Sequence, residues 1–222
     1  MDLKTQEEVF RNLKSFYPKD TKFVVLSMDM EHMAAGNPKI SFEKQLEDLA
    51  DLKKKYGNII FPFVCADPRN LSLTQTVKKY ITQHHFQGIK LYPALGFYPF
   101  DIRLHEVYKF AIENNIPIIT HCCKGVIYNR AEIKEVERIH PITGERFDEK
   151  AKRDFTTHYT DPKNFDYSQN DTTEDNNKRK KLAERILFGT DFFLVEQKDT
   201  ERNLTIELRA FLGYENFRQI SD

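Results

Sequence analysis

The sequence predicts an α/β protein whose strands run parallel in one sheet. Three observations lead there. Apolar runs such as Phe23-Val24-Val25-Leu26 and Ile59-Ile60-Phe61-Pro62-Phe63-Val64-Cys65 are continuous rather than alternating, as in strands buried on both faces. Amphipathic stretches at helical spacing separate the runs. Each run stops at a proline or a polar residue, where a strand gives way to a loop. Strict alternation of this kind implies right-handed crossovers, and hence either an open doubly wound sheet or a barrel.

The elements follow in order. From Met1 to Tyr17, the apolar residues Leu3, Val9, Phe10, Leu13 and Phe16 recur at helical intervals, and Pro18 ends the helix. Thr21 to Met30 holds the first strand. Ser41 has the residue type of an N-cap, and Leu46, Leu49, Ala50 and Leu52 carry a helix to Gly57. A second strand spans Asn58 to Ala66 and yields to Asp67-Pro68-Arg69; a helix from Leu73 to His84 comes next. The third strand, Gly88 to Tyr92, is stopped by Pro93, and an aromatic loop leads to a helix from Leu104 to Asn114. Pro117 to Thr120 forms the fourth strand, which closes on His121.

Beyond His121 the rhythm breaks. Arg130 to Lys181 is highly charged, and residues 166–181 read as a mobile loop because Ser168 to Lys181 contains no large apolar side chain. Order returns with a strand from Leu182 to Phe188, the turn Gly189-Thr190-Asp191 and a helix from Thr200 to Leu212. Neither an internal repeat nor a second domain is visible, so residues 1–222 read as a single domain, a length one core can serve.

Composition narrows the function. Lysine plus arginine and aspartate plus glutamate both total 34, so no net field draws in nucleic acid or an anionic membrane. Cys65, Cys122 and Cys123 form no spaced disulfide framework, the first fifteen residues lack an apolar signal core, and no run of transmembrane length occurs. A cytoplasmic protein with a small-molecule substrate is expected. Dinucleotide, nucleotide, serine-hydrolase and zinc-ribbon motifs are all missing.

Parallel α/β sheets bind ligands at the carboxyl ends of their strands, where loops and helix N-termini converge. Three such ends carry reactive groups: Lys90, His121 and Asp191. Imidazole and carboxylate together suit zinc, which lowers the pKa of bound water toward ~7. The competing reading is that a polar strand end merely meets solvent or caps the next helix. That plainer reading is preferred for Asp67, a turn initiator before Pro68, and for Asp29, which with Glu31 and His32 lacks clear ligand spacing. His105 and His140 have no supporting neighbours in sequence, and the adjacent cysteines read as small buried fillers.

Four ordered blocks resemble the amidohydrolase-related family of metal-dependent TIM-barrel hydrolases and decarboxylases: Gly88-Ile89-Lys90-Leu91-Tyr92-Pro93, Gly96-Phe97-Tyr98-Pro99, Ile118-Ile119-Thr120-His121 and Ile186-Leu187-Phe188-Gly189-Thr190-Asp191. The resemblance implies a (β/α) barrel. It casts His121 as the metal-binding histidine of the fifth strand and Asp191 as the metal ligand and catalytic base of the eighth. Lys90 would end the fourth strand facing the pocket; in that picture Tyr92 or Tyr98 orients a substrate, the alternative for both being plain packing. The chain departs from the pattern in two places. It has no His-x-His, which the family carries on its first strand, and no histidine follows an apolar strand where the sixth should end. The expected fold is therefore a barrel lacking strands 1 and 6.

The function expected from these readings is a metal-dependent hydrolase in which water activated by a divalent metal, zinc by donor type, attacks a carbonyl-centred small molecule. Two alternatives accompany it: a catalytically inactive binding or structural protein, or a truncated chain, on the same fold; and a non-oxidative decarboxylase. The aromatic loops could equally line a homo-oligomer interface.

Overall fold

Strand order settles the choice left open by periodicity. In the computed structural model, which describes residues 5–121, 131–150, 157–161, 163–164 and 186–188, β1 (Phe23–Leu26), β2 (Ile60–Cys65), β3 (Gly88–Leu91), β4 (Ile118–Thr120) and β5 (Ile186–Phe188) form one sheet in the order β1-β2-β3-β4-β5. Every pairing is parallel. A doubly wound sheet reverses its strand order at a switch point. Sequential order has no such reversal, and right-handed crossovers then place successive helices on the same side, as in part of a barrel. No helix of the described residues is long and apolar enough to cross a membrane.

The helices are α1 (Gln6–Ser15), α2 (Phe42–Tyr56), α3 (Leu73–Thr82) and α4 (His105–Asn114). Thr5 starts α1 with a capping box: its hydroxyl accepts from Glu8 N–H while the Glu8 carboxylate accepts from Thr5 N–H. Ser41 caps α2 as its residue type predicts, accepting from Lys44 N–H. Asn115 ends α4 in the left-handed conformation that asparagine tolerates.

Register sorts the strand residues onto two faces. Ile60, Val64, Ile89, Leu91 and Ile118 belong to the main core, together with Leu46 and Leu49 of α2, Val77 of α3 and Val107 of α4. The opposite face is traced by the pairs Leu26↔Phe63, Phe63↔Gly88, Cys65↔Lys90 and Lys90↔Ile119. Gly88 is required on that face because the Phe63 ring lies across it; a Cβ there would sit 2.4 Å from Phe63 Cε2.

One expectation is corrected. The run Phe23-Val24-Val25-Leu26 predicts a first strand buried on both faces, whereas among the described residues β1 is an edge strand with Val24 and Leu26 exposed. A continuous apolar run reports hydrophobicity and not coverage. β5 also stands directly beside β4, where the resemblance places a sixth strand. The chain divides into two units, Met1–Phe188 and Gly189–Asp222. The expected mobile loop, the helix from Thr200, Cys122, Cys123 and Asp191 lie outside the described residues.

Candidate functional site

The carboxyl ends of β3 and β4 bring three of the sequence-predicted residues together. Lys90 is buried in β3, and Tyr92 follows two residues later, so the Tyr92 ring sits 5.5 Å from Lys90 Nζ. His121 is buried just beyond β4, its N–H donating to Leu91 O at 3.2 Å. Its imidazole meets the Tyr92 ring edge to face, with centroids 4.6 Å apart. Lysine, tyrosine and histidine therefore form one contiguous group across two adjacent strands.

Among the described residues, two acidic side chains are buried just beyond neighbouring strands: Asp67, expected as a turn initiator, and Asp29, set aside in the sequence for lack of ligand spacing. Asp67 does initiate a turn, accepting Arg69 N–H at 2.9 Å. It also grips the Arg69 guanidinium through Nε at 2.9 Å and Nη2 at 2.5 Å, a bidentate pair that fixes the guanidinium plane. Arg69 then ties three strand-end loops together: it donates to His32 O at 2.9 Å and lies 5.8 Å from the Phe97 ring. The detectable signal was the Asp-x-Arg spacing at a strand end.

Asp29 is the other buried carboxylate. It accepts Glu31 N–H at 3.1 Å and lies 3.7 Å from His32 Nε2. Burial above all raises its pKa over the ordinary aspartate value; the Glu31 amide and the His32 charge oppose the rise, and Asp67 adds to it. Between these groups the Cys65 thiol is pushed up to about 12, chiefly by burial; a hydrogen bond with the Asp29 backbone opposes the rise, the Asp67 and Asp29 charges add to it, and Lys90 lowers it. Cys65 is a packed filler in this environment and not a nucleophile.

Tyr98 occupies different surroundings. Its ring packs on Phe100, His140 and Tyr159, at centroid distances of 4.7, 5.1 and 4.7 Å. Among the described residues its hydroxyl is buried without a hydrogen-bond partner, and burial pushes its pKa up to about 12. Among the described contacts, none joins Tyr98 to Lys90, Tyr92 or His121. His140, expected to lack supporting neighbours, is instead the centre of this second cluster. Its Nδ1 accepts the N–H groups of Ile142 and Thr143 at 3.2 and 3.1 Å, and its Nε2 lies 3.2 Å from Asn164 Oδ1. That pattern assigns the proton to Nε2.

Among the described residues, no three His, Cys, Asp or Glu side chains converge on a point that would hold an ion. The described neighbours of His121 do not by themselves fit zinc, which takes three or four protein ligands.

Comparison with known proteins adds little. No protein-family profile matches the chain. No curated protein matches it. One solved structure that it resembles is the crystal structure of an amidohydrolase II, a Northeast Structural Genomics target, at 16% identity and a TM-score of 0.45, covering 98% of this chain and 86% of that one. A likeness of that degree carries no argument about fold or activity.

Proposed function

We propose that this chain is a hydrolase of the amidohydrolase type, acting on a carbonyl-centred small molecule at the carboxyl ends of β2 to β4. The observation that carries the reading is the burial of Lys90 and His121 on adjacent parallel strands, with the Tyr92 ring touching both. Strand ends are where such folds place their chemistry. The sequential parallel order supports a barrel segment, and the direct pairing of β4 with β5 supports a missing sixth strand.

Each residue has a role on this reading. The Lys90 ammonium binds an oxygen that carries or develops negative charge, and low local polarity strengthens that interaction. Tyr92 fixes the plane of the imidazole and offers its ring face to the substrate. His121 and Asp191 are the residues proposed to hold a divalent ion, zinc by donor type, with Asp191 also the base. Because the described donors do not complete such a site, no step is drawn through the ion. The protein's own contribution is orientation by Lys90 and Tyr92 and proton transfer at the Asp191 carboxylate. Tyr98 is proposed to contact substrate from the loop after β3.

The test is a panel of small amides, lactones and esters, with zinc or manganese supplied and the metal content of the purified chain measured alongside. Turnover should fall by about 10² or more in Lys90→Met, His121→Ala and Asp191→Ala, the range general acid–base groups contribute. A parent chain that retains no metal and turns over nothing overturns the reading in favour of a binding module. Release of carbon dioxide from unsaturated acids without hydrolysis would assign the same site to decarboxylation.

A further inference from the structure

We propose that the groove between α2 and α3 binds a free α-amino acid with a large apolar side chain, at a position separate from the Lys90–His121 group. The groove holds a cavity of about 780 Å³ walled by Phe42, Leu46 and Tyr80, and none of Lys90, Tyr92 and His121 lines it. The feature that calls for a ligand is the Tyr80 hydroxyl. Tyr80 is 2% exposed, and among the described residues its hydroxyl has no hydrogen-bond partner. A buried hydroxyl left in that state is costly, and at the wall of a cavity a bound group can complete it. Burial above all raises its pKa, and the Glu47 and Glu43 charges add to the rise, which sets the hydroxyl on the α2 side of the groove.

Opposite charges are called for at the two ends. At one end the Glu43 carboxylate lies 3.8 Å from Lys79 Nζ, which itself sits 5.2 Å from the Tyr80 ring. Both side chains are exposed and the pair is long, so it holds weakly. A ligand ammonium takes the place of Lys79 Nζ there, beside Glu43 and the Tyr80 hydroxyl. At the other end α3 begins without a side-chain cap, since Ser72 makes no capping hydrogen bond, and its first turn carries no acidic residue. That leaves donors and the positive end of the helix dipole for a carboxylate, with the Gln75 amide and Thr76 hydroxyl lining the same end. Gln75 and Lys79 are four residues apart, about 6 Å along the helix, a span that the two charged groups of one α-amino acid bridge with a hydrogen bond at each end. The other charges of the lining are already answered: Arg69 by Asp67, His32 by Asp29, and Glu31 by the Phe42 N–H that its Oε1 accepts at 2.8 Å. A ligand with one charge of each sign therefore suits the groove better than an anion or a cation, and Phe42 and Leu46 offer the apolar wall for its side chain.

Calorimetry and thermal unfolding of the full chain with L-phenylalanine test this. Saturable one-to-one binding is expected, with an unfolding midpoint that rises with ligand concentration. N-acetyl-L-phenylalanine lacks the ammonium and L-phenylalaninamide lacks the carboxylate, and each should bind more weakly by about tenfold or more, the worth of a lost charged hydrogen bond. Tyr80→Phe should weaken L-phenylalanine by about tenfold, while its ligand-free midpoint stays at or above the parent's because a buried unpartnered hydroxyl is gone. Glu43→Gln should weaken binding as well. Lys79→Ala removes the competing cation and should bind at least as tightly as the parent, whereas a site for anions would lose affinity in that variant. A chain that binds no L-phenylalanine through the millimolar range overturns the proposal. So does an acetylated or amidated ligand that binds as well as the free amino acid, a Tyr80→Phe chain with the parent's affinity, or a Lys79→Ala chain that binds less tightly.

Discussion

Replacing Gly88 by alanine probes the packing under the candidate site. An added Cβ would stand 2.4, 2.5 and 2.7 Å from three carbons of the Phe63 ring, where carbon contacts normally settle near ~3.5–4.0 Å. The ring must therefore move by about 1 Å. Phe63 is buried, so its neighbours must yield as well. Overpacking of this kind costs about 1–3 kcal/mol. Gly88 is not among the positive-φ glycines, so the backbone accepts alanine and the stiffer unfolded chain returns about 0.4–1 kcal/mol. The net expectation is destabilisation by about 1–2 kcal/mol, read from urea denaturation of the variant against the parent. Phe63→Leu shortens the obstructing ring, and the double variant should recover at least about 0.5 kcal/mol of the cost as a coupling energy. The reasoning is wrong if Gly88→Ala shifts stability by less than that, or if the two substitutions simply add.

Other substitutions address single contacts. Ser27 is buried, donates to Phe63 O at 3.0 Å and accepts Cys65 N–H at 2.7 Å, so Ser27→Ala strands a buried amide and should cost about 1–3 kcal/mol in the same denaturation assay. His140→Ala removes the acceptor of two backbone amides and should loosen the turn at Ile142 and Thr143, raising amide exchange there while leaving α2 and α3 protected. The Asp29 carboxyl has a raised folded pKa, so the folded state holds a proton that the unfolded chain releases, and its effect runs opposite to a salt-bridged aspartate. Its contribution to stability should decline as pH rises from the ordinary aspartate pKa through the raised one. Denaturation midpoints of Asp29→Asn should therefore lack the parent's decline across that window.

The sequence by itself determined the order and kind of the described elements, because caps, breakers and helical spacing act over a few residues. Ser41, Pro18 and Pro93 mark boundaries wherever the rest of the chain lies. Strand ends as the place to look, and Lys90 and His121 as the residues there, were legible for the same reason: an apolar run that closes on a polar side chain is a local signal. Three matters required tertiary structure. Register between distant segments sets Cys65 beside Lys90 and Lys90 beside Ile119, and only then do Lys90, Tyr92 and His121 share contacts. Coverage of each face depends on which helices return to it, so β1 has the composition of a central strand and the exposure of an edge. Polar groups such as Asp29, Asp67 and His140 take their roles from partners as far as 41 residues away, as Asn70 is from Asp29, or 24, as Asn164 is from His140. Local pattern encodes what a segment prefers to form. Which of its groups lose water, and against what, is decided when segments far apart in the chain meet.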